Sequence, residues 1–438
     1  MSISQNYELI CLECRQSFED SYLLRCPEGH SALLRTEYPQ DQLQLQDEPG
    51  LFQFINWLPV TDTIEVSAKP ITYHAKELGD RLGLENLYVS FNGYWPEKGG
   101  QVVSCSFKEY EAYPTLQRMK ERREGGVIQV SSAGNTARAF AIASSNVNEK
   151  VILVVPMASK ERVWTLNENH DHIFLIGVDG DYYDAIKLGQ LICQEFDDVL
   201  PEGGARNVAR RDGMGLTMVD AVLHMKQLPD FYFQGVGSGT GGIAAYEMAL
   251  KLQADGRFPG TVPRFFLSQN KPFTPMVNAW DTGRQYIEPE EDMPDAEASI
   301  KQVYAPLLTN RQPPYSIKGG VFDILTESNG GMLAVTNAEA KQAYDLFEEI
   351  EGIDIDPSAA VALASLIAAI DDGIVKSNDY VMLNVSGGGY KRIEEDNTLY
   401  HVALDYQIDS PVNRSTIELI RDDIEEFLHS ELQLDIAV

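Results

Sequence analysis

The sequence contains no apolar run that approaches the roughly 20 residues needed by a membrane-spanning helix. The segment from Met1 to Asn6 lacks the basic and apolar regions of a secretory signal peptide. Basic residues are also scarce, since 35 lysines and arginines stand against 66 acidic residues among 438, a formal net charge of −31. A protein surface with this excess of negative charge repels nucleic acid and anionic lipid, which argues against either as the main partner. We therefore expect a soluble cytoplasmic protein, whose 44% hydrophobic content can bury cores in two or more domains.

Cysteine is scarce too, and three of the five cysteines crowd near the start of the chain together with a histidine: Cys11, Cys14, Cys26 and His30. In a protein without features of secretion, this crowding indicates a metal site rather than disulfides. Two short turns could present three thiolates and one imidazole in a tetrahedron, as in a structural zinc site. A hairpin with buried free cysteines also fits, because the second turn carries only one cysteine.

After this module, apolar β-rich runs alternate with helix-like segments. The runs predicted as buried strands are 127–130, 151–155, 173–176, 231–233 and 380–385. Their length and spacing predict parallel sheets with crossover helices. The predicted fold class is α/β.

A glycine-rich segment, 236–242, follows one of these strands and precedes a helix-like run. Glycine allows backbone N–H groups to approach a phosphate, and a helix N-terminus attracts it. The segment satisfies the dinucleotide pattern G-x-G-x-x-G, but the next strand-like run, 264–267, is followed by Ser-Gln-Asn instead of the expected acid. It also lacks the Gly-Lys-Ser/Thr ending of a P-loop. The segment predicts a phosphate site without identifying the phosphate, and a structural turn also fits.

Three further segments bear on that phosphate: 104–109, which contains Lys108, 131–137 and 386–389. We expect them at the carboxyl ends of strands, where open α/β sheets build their sites. Taken singly, they could be a surface lysine, a helix cap and a flexible turn. Together they supply an amine, a phosphate cradle and polar side chains for a ring, as a pyridoxal phosphate enzyme requires.

These motifs resemble those of the fold-type II pyridoxal phosphate enzymes, of which threonine synthase is the nearest broad relative. A closer resemblance, to the cysteate synthase family, is carried by the stretches 93–99, 105–109, 201–211, 234–242 and 308–311. It covers nearly the whole chain. Members of that family make cysteate for coenzyme M in methanogens.

The resemblance implies a tryptophan synthase β-like architecture, with two open α/β domains and the cofactor between them. The predicted bounds are a Cys/His module at 1–48, a large cofactor-binding domain at 49–110 and 231–438, and a small α/β domain at 111–230. It also implies a homo-oligomer.

The resemblance further implies roles for individual residues. Lys108 would hold pyridoxal phosphate through its amine and act as the base, while Asn135 would bond the ring hydroxyl. Ser386 would face the pyridine nitrogen. A hydroxyl at this place, in contrast to a carboxylate, does not favour full protonation of that nitrogen. The cofactor phosphate would bind Gly237, Ser238, Gly239, Thr240 and Gly241.

The substrate carboxylate would bind the turn formed by Ser131, Ser132, Ala133, Gly134 and Thr136. Arg206, Arg210 and Arg211 form the densest basic cluster and could chelate phosphate or sulfite through their planar guanidinium groups. A helix face paired with nearby acids fits this cluster equally well.

The implied reaction is β-replacement on O-phospho-L-serine by sulfite, which gives L-cysteate and phosphate. Threonine synthase and a phosphoserine-dependent cysteine synthase are the alternatives within this class, although threonine synthase usually has aspartate where this chain has Glu109. A dinucleotide-dependent oxidoreductase is weakened by the missing acid. A non-catalytic regulator is disfavoured by the intact lysine.

Overall fold

A computed structural model describes residues 7–122 and 125–430. The strands are β1 (Glu8–Cys11), β2 (Ser17–Phe18), β3 (Leu34–Glu37), β4 (Ile71–His74), β5 (Asn86–Phe91), β6 (Tyr94–Trp95), β7 (Gly100–Gln101), β8 (Val127–Ser131), β9 (Val151–Pro156), β10 (Trp164–Thr165), β11 (Ile173–Asp179), β12 (Val199–Pro201), β13 (Phe231–Gly235), β14 (Arg264–Asn270), β15 (Gly331–Val335), β16 (Tyr380–Val385), β17 (Tyr400–His401) and β18 (Tyr406–Asp409). The α-helices are α1 (Lys76–Leu82), α2 (Glu109–Lys120), α3 (Asn135–Val147), α4 (Tyr182–Glu195), α5 (Val208–Met225), α6 (Thr240–Asp255), α7 (Pro275–Asp281), α8 (Pro289–Asp292), α9 (Ala296–Ile300), α10 (Val321–Glu327), α11 (Asn337–Glu351), α12 (Pro357–Asp371), α13 (Tyr390–Asp396) and α14 (Arg414–His429). Short 3-10 helices lie at Gly50–Trp57, Pro96–Lys98, Met157–Arg162, Gly204–Arg206 and Pro306–Leu308. The segment from Met1 to Asn6 and the end of the predicted large domain lie outside the described residues.

All five runs predicted as buried strands are strands, namely β8, β9, β11, β13 and β16. They are rich in β-branched and aromatic residues, which suit a pleated, packed surface. Most of their residues are buried, as expected for parallel strands covered on both faces. The predicted α/β class is confirmed.

The chain forms two compact units. Unit 1 comprises Met1–Glu111 and Gly204–Ile393, and unit 2 comprises Ala112–Gly203 and Glu394–Val438.

These units differ from the predicted domain bounds at two segments. Residues 204–230 were expected in the small domain, but helix α5 packs along helix α6 within unit 1. Residues 394–438 were expected in the large domain, but strand β18 pairs with β11 in unit 2.

Unit 1 contains a six-stranded sheet in the order β15-β14-β13-β16-β5-β4. All neighbouring strands are parallel except β4, which is antiparallel to β5 at the edge. Strands β13 and β16 are neighbours, so their carboxyl ends open at the same edge of the sheet. The glycine-rich loop follows β13 and Ser386 follows β16, which places both at that edge.

Helix α12 covers part of this sheet, and small residues allow a close approach. Alanines make up much of its buried face, and the helix contacts β13, β14 and β16. A Cβ at Gly235, the last residue of β13, would lie only 2.2 Å from the Ser358 carbonyl oxygen. The first turn of α12 therefore lies against the carboxyl end of β13.

The N-terminal part of unit 1 is a small three-stranded sheet in the order β2-β1-β3. It contacts helices α5 and α6 through polar side chains. Thr36 and Tyr38 hydroxyls donate to Asp212 at 2.6 and 2.7 Å, and Arg35 Nε lies 3.1 Å from Glu247 Oε1. This module is thus held on the same helix that carries Arg210 and Arg211 of the predicted arginine cluster.

Unit 2 contains a five-stranded parallel sheet in the order β12-β8-β9-β11-β18. Its apolar core includes residues of β9, β11, α4 and α14. Strand β8 lies between β12 and β9, and its carboxyl end leads into the predicted substrate turn. Across both units, the described residues include no helix long and apolar enough to span a bilayer.

Candidate functional site

Lys108 follows a tight turn that is bonded to the end of β16. The Phe107 N–H donates to the Ser386 carbonyl oxygen at 3.0 Å. The Gly388 N–H donates to the Cys105 carbonyl oxygen at 3.1 Å. Cys105 is buried at φ +52°, a left-handed conformation that costs a non-glycine residue about 1 kcal/mol or more. The surrounding hydrogen bonds hold this conformation and place the predicted lysine beside the predicted Ser386 segment.

The Lys108 amine is mostly enclosed, with 16% of the side chain exposed. Its Nζ atom lies 3.4 Å from Met214 Sδ and 4.6 Å from the centre of the Phe107 ring. Glu111, one turn further along α2, is fully buried, and its Oε2 atom lies 3.8 Å from Nζ. A thioether, an aromatic ring and one carboxylate thus surround the amine.

The same carboxylate also contacts an arginine of the predicted basic cluster. Arg210 Nε lies 2.9 Å from Glu111 Oε2, and both side chains are buried. The next residue, Arg211, is buried and pairs with Glu247 at 2.8 Å. Two of the three clustered arginines are therefore in buried ion pairs within unit 1.

Arg206 differs from these two arginines. It lies in a 3-10 turn just before α5 and is half-buried. Burial, together with the nearby Arg25, holds the pKa of Arg206 below its ordinary value. Excess positive charge at this place makes a bound anion favourable.

The glycine-rich loop packs tightly between β13 and α6. Gly239 has φ +78° and occupies the cap position of α6, so the cap residue itself places no side chain over the N–H groups of the first turn. A Cβ at Gly241 would lie 2.5 Å from Gln234 Nε2 and 2.9 Å from Phe107 Cε2. A side chain there would have to displace Gln234 or Phe107, so the loop packs closely against the residue that precedes Lys108.

The two hydroxyl groups of this loop lie together. Ser238 Oγ and Thr240 Oγ1 are 2.9 Å apart, and the Thr240 N–H donates to Ser238 Oγ at 3.3 Å. The first turn of α6 contains no acidic residue. Hydroxyl groups, backbone N–H groups and the positive end of a 16-residue helix form an anion cradle.

Ser386 is buried at the end of β16, and its hydroxyl contacts another hydroxyl. The Ser386 Oγ atom lies 3.3 Å from Ser358 Oγ, on the first turn of α12. Ser358 Oγ in turn donates to Asp356 Oδ1 at 2.6 Å.

In unit 2, the predicted substrate turn lies between β8 and α3. Ser131 Oγ donates to the Ala185 carbonyl oxygen at 2.9 Å. The Ser132 N–H donates to the Val154 carbonyl oxygen, and the Gly134 N–H donates to Ser132 Oγ, each at 3.0 Å. These groups are engaged within the protein, so a carboxylate would have to use the other N–H groups of the turn.

Asn135 is the first residue of α3, and its amide has a defined orientation. Its Oδ1 accepts a hydrogen bond from Arg138 Nη2 at 2.9 Å. Arg138 is itself buried and donates to the Arg162 carbonyl oxygen at 3.2 Å. Because Arg138 holds the oxygen, the amide would meet a ligand as a donor through Nδ2.

The N-terminal Cys/His set converges. The ligand atoms of Cys11, Cys14, Cys26 and His30 all lie within 4.8 Å of one another. Cys14 Sγ and Cys26 Sγ are 3.9 Å apart, and Cys26 Sγ lies 3.5 Å from His30 Nδ1. Zn–S bonds of about 2.3 Å give a tetrahedral edge of about 3.8 Å, so the donors have the spacing of a tetrahedral zinc site.

Sequence reasoning missed four contributors to these sites: Glu111, Arg138, Asp356 and Ser358. Glu111 and Arg138 had a local signal, because each lies three positions after a predicted site residue, Lys108 and Asn135 respectively. Asp356 and Ser358 had none, because Ser358 contacts Ser386 from a separate element and Asp356 bonds Ser358.

Comparisons with known proteins give a consistent result. A family model for pyridoxal-phosphate dependent enzymes matches residues 76–387. The chain is 51% identical to the cysteate synthase of Methanoculleus marisnigri over 398 residues, which cover 91% of this chain and 92% of the relative. It is 52% identical to the cysteate synthase of Methanospirillum hungatei over 390 residues, covering 89% and 92% of the two chains.

Among solved structures, maize serine racemase is similar with a TM-score of 0.55 and 16% identity, covering 75% of this chain and 92% of that one. At this identity the likeness shows the fold alone. It confirms the fold-type II architecture expected from the motifs.

Proposed function

The chain belongs to the pyridoxal-phosphate dependent enzymes and, within them, to the cysteate synthases, and on this premise we propose that it converts O-phospho-L-serine and sulfite to L-cysteate and phosphate. The observation that carries the proposal is the position of Phe107. This residue contacts the glycine-rich loop on one side and the Ser386 carbonyl on the other, directly before Lys108. An amine, an anion cradle and a hydroxyl are thereby gathered in unit 1.

The residues of unit 1 fit pyridoxal phosphate. The uncapped N-terminus of α6, with Ser238 and Thr240, would hold its phosphate, and Lys108 would hold it covalently. Ser386 would contact the pyridine nitrogen. When bound, this cofactor supplies a conjugated ring that delocalises electrons released at the substrate α-carbon.

Lys108 would also handle the proton of the substrate α-carbon. Its Nζ atom is enclosed by Met214 and Phe107, which exclude water from one side of the amine. Glu111 would hold the lysine side chain while the amine accepts the proton and later returns it.

We propose two further roles for the segment that follows strand β8. Asn135 Nδ2 would donate to the ring hydroxyl, because Arg138 engages its Oδ1 atom. The substrate carboxylate would bind the first N–H groups of α3. The N–H groups of Ser132 and Gly134, just before this helix, are already bonded to the Val154 carbonyl oxygen and to Ser132 Oγ.

Both substrates are anions, so the reaction requires local positive charge in a protein of net charge −31. Arg206 is our first candidate, because Glu247 holds Arg211 in a buried pair. Arg210 would contribute only together with Glu111, as a pair of no net charge.

We further propose that Cys11, Cys14, Cys26 and His30 hold a structural zinc ion. Three thiolates and one imidazole are a common structural zinc set, and their spacing fits a tetrahedron. Such a site is closed and has a folding role.

The test of the reaction is a panel of substrates. Purified enzyme is incubated with O-phospho-L-serine and sulfite, sulfide or no nucleophile, and separately with phosphohomoserine, and the amino acids are identified by mass spectrometry. We expect cysteate with sulfite. Threonine from phosphohomoserine, without cysteate from phosphoserine, would instead identify a threonine synthase.

A further inference from the structure

A short hairpin, residues 94–101, lies beside the segment that follows strand β16. It consists of β6, β7 and the 3-10 turn Pro96–Lys98 between them. Each strand has only two residues, and so short a hairpin has little stability of its own. The position of the hairpin therefore depends on the groups that hold it.

Lys98, at the end of this turn, holds the hairpin to the rest of unit 1. Its Nζ atom lies 3.7 Å from the centre of the Tyr73 ring and 4.5 Å from the centre of the Trp95 ring. The Glu351 Oε2 atom lies 3.5 Å from the same amine and accepts from the Tyr73 hydroxyl at 2.9 Å. Two aromatic rings and a carboxylate thus surround one ammonium group, which they attract electrostatically. Lys98 consequently ties the hairpin to β4 and α11.

The hairpin contacts the segment 386–389 through backbone atoms. The Tyr94 N–H donates to the Gly388 carbonyl oxygen at 3.1 Å. A Cβ atom at Gly93 would collide with that oxygen, and a Cβ atom at Gly389 would collide with the Tyr94 carbonyl oxygen. Because the two backbones touch directly at these glycines, a shift of the hairpin requires a shift of the segment.

The segment 386–389 in turn contacts the turn that leads into the proposed cofactor lysine. The Gly388 N–H donates to the Cys105 carbonyl oxygen at 3.1 Å. The next pair, Ser106 and Gly387, forms an antiparallel bridge. The hairpin, the segment and the lysine turn are therefore three pieces of backbone in direct contact.

We propose that Lys98 is a positioning residue, which anchors the hairpin and so fixes the place of Ser386 and of the turn that leads to Lys108. The inference rests on the proposed function, which assigns these two residues to the cofactor. Lys98 acts through the backbone, and no bond is formed or broken at its amine. Two residues that hold one ring require a fixed separation, and a misplacement of about 1 Å can cost about a hundredfold in rate.

A simpler role for Lys98 is to stabilise the edge of the sheet in unit 1. In that case, loss of its charge would lower the stability of the protein and leave the reaction unchanged. Lys98→Met distinguishes the two roles, because it keeps an unbranched apolar side chain and removes the charge. The Lys98 side chain is 38% exposed, so the variant should fold.

The experiment measures kcat and KM of the holoenzyme, together with the visible circular dichroism of bound pyridoxal phosphate in the absence of substrate. We expect Lys98→Met to lower kcat by about tenfold and to change the KM for O-phospho-L-serine by less than about twofold. The dichroism of the cofactor band should change as well. Lys98→Arg should restore most of the wild-type kcat, because a guanidinium group also binds aromatic faces and carboxylates.

The matched control is Lys341→Met. Lys341 is exposed on α11, the helix that carries Glu351, and its Nζ atom lies 5.6 Å from the centre of the Tyr304 ring. This variant removes a lysine charge beside an aromatic ring of a different segment, and it should leave kcat and the dichroism unchanged. A wild-type kcat in Lys98→Met would overturn the proposal, even with a lower melting temperature. An equal fall of kcat in Lys341→Met would overturn it too.

The dichroism requires no substrate, so the positioning role and the proposed function can fail separately. A changed band in Lys98→Met, in an enzyme that makes threonine from phosphohomoserine, would support the positioning role and refute the proposed function. Cysteate production with wild-type kcat and dichroism in Lys98→Met would do the reverse.

Discussion

Glu111 lies one helical turn beyond Lys108, and its Oε2 atom is 3.8 Å from the lysine Nζ atom. The same oxygen lies 2.9 Å from Arg210 Nε. One buried carboxylate on α2 thus links the proposed cofactor lysine, which directly precedes α2, to helix α5, which also holds the N-terminal module.

Replacement of this carboxylate should be costly. We expect Glu111→Gln to lower the free energy of unfolding by about 2–4 kcal/mol, because it removes the negative partner of a buried guanidinium. Urea denaturation measures the change. The control is Glu149→Gln, whose ion pair with Lys120 is largely exposed and should contribute less than about 1 kcal/mol. Equal changes in the free energy of unfolding would mean that the buried Glu111–Arg210 pair contributes no more to stability than the exposed pair.

Lys108→Ala should abolish stable cofactor binding. The amine is the only group at this position that could form a covalent link, so the yellow visible band should disappear on dialysis. Lys120→Ala, at the end of helix α2 that follows Lys108 and 60% exposed, should retain the band. A band that survives dialysis in Lys108→Ala would refute the assignment of this lysine.

The strands and the phosphate loop could be predicted because their signals are local. Buried parallel strands are continuous apolar runs, and a glycine-rich segment between a strand and a helix has few other uses. Strand β18 escaped prediction because it is short and only partly buried, with Gln407 and Asp409 exposed at the sheet edge. Without that strand, which pairs with β11, the sequence provided no reason to group residues 394–438 with unit 2.

The polar partners could not be predicted because they are distant in sequence. Nothing near Arg210 or Arg211 indicates that Glu111 and Glu247 neutralise them, since those acids lie on other helices. Arg210 and Arg211 are paired with acids inside the protein and not on a solvated helix face, and their part in anion binding stays a prediction. The role of Arg206 stays a prediction.

Removal of one zinc ligand should release the metal and weaken the fold. We expect about one zinc per chain in protein purified without a histidine tag, and much less in Cys26→Ala, with a lower melting temperature. Cys193→Ala is the matched control, because burial raises the pKa of Cys193 to about 12 and this thiol lies outside the cluster. Equal metal contents in the two variants would exclude Cys26 as a ligand.

Asp220 on helix α5 predicts a pH dependence of stability. Burial raises the pKa of this carboxyl from 3.8 to about 6, while His224, Thr72 and Lys69 oppose the shift in part. Between these two values the folded protein binds a proton that the unfolded chain has released. The stability contributed by this proton is therefore lost as the pH rises from about 4 to 6.

Asp220→Asn should remove this loss, because an amide cannot ionise. We expect the free energy of unfolding of the variant, relative to wild type, to increase by up to about 3 kcal/mol between pH 4 and pH 7, given 1.4 kcal/mol for each pKa unit. Urea denaturation at several pH values within this window measures the difference, with pH 4 as the internal reference. A difference that stays constant across the window would show that Asp220 titrates alike in the folded and unfolded chains, and that the positive groups around it compensate for its burial.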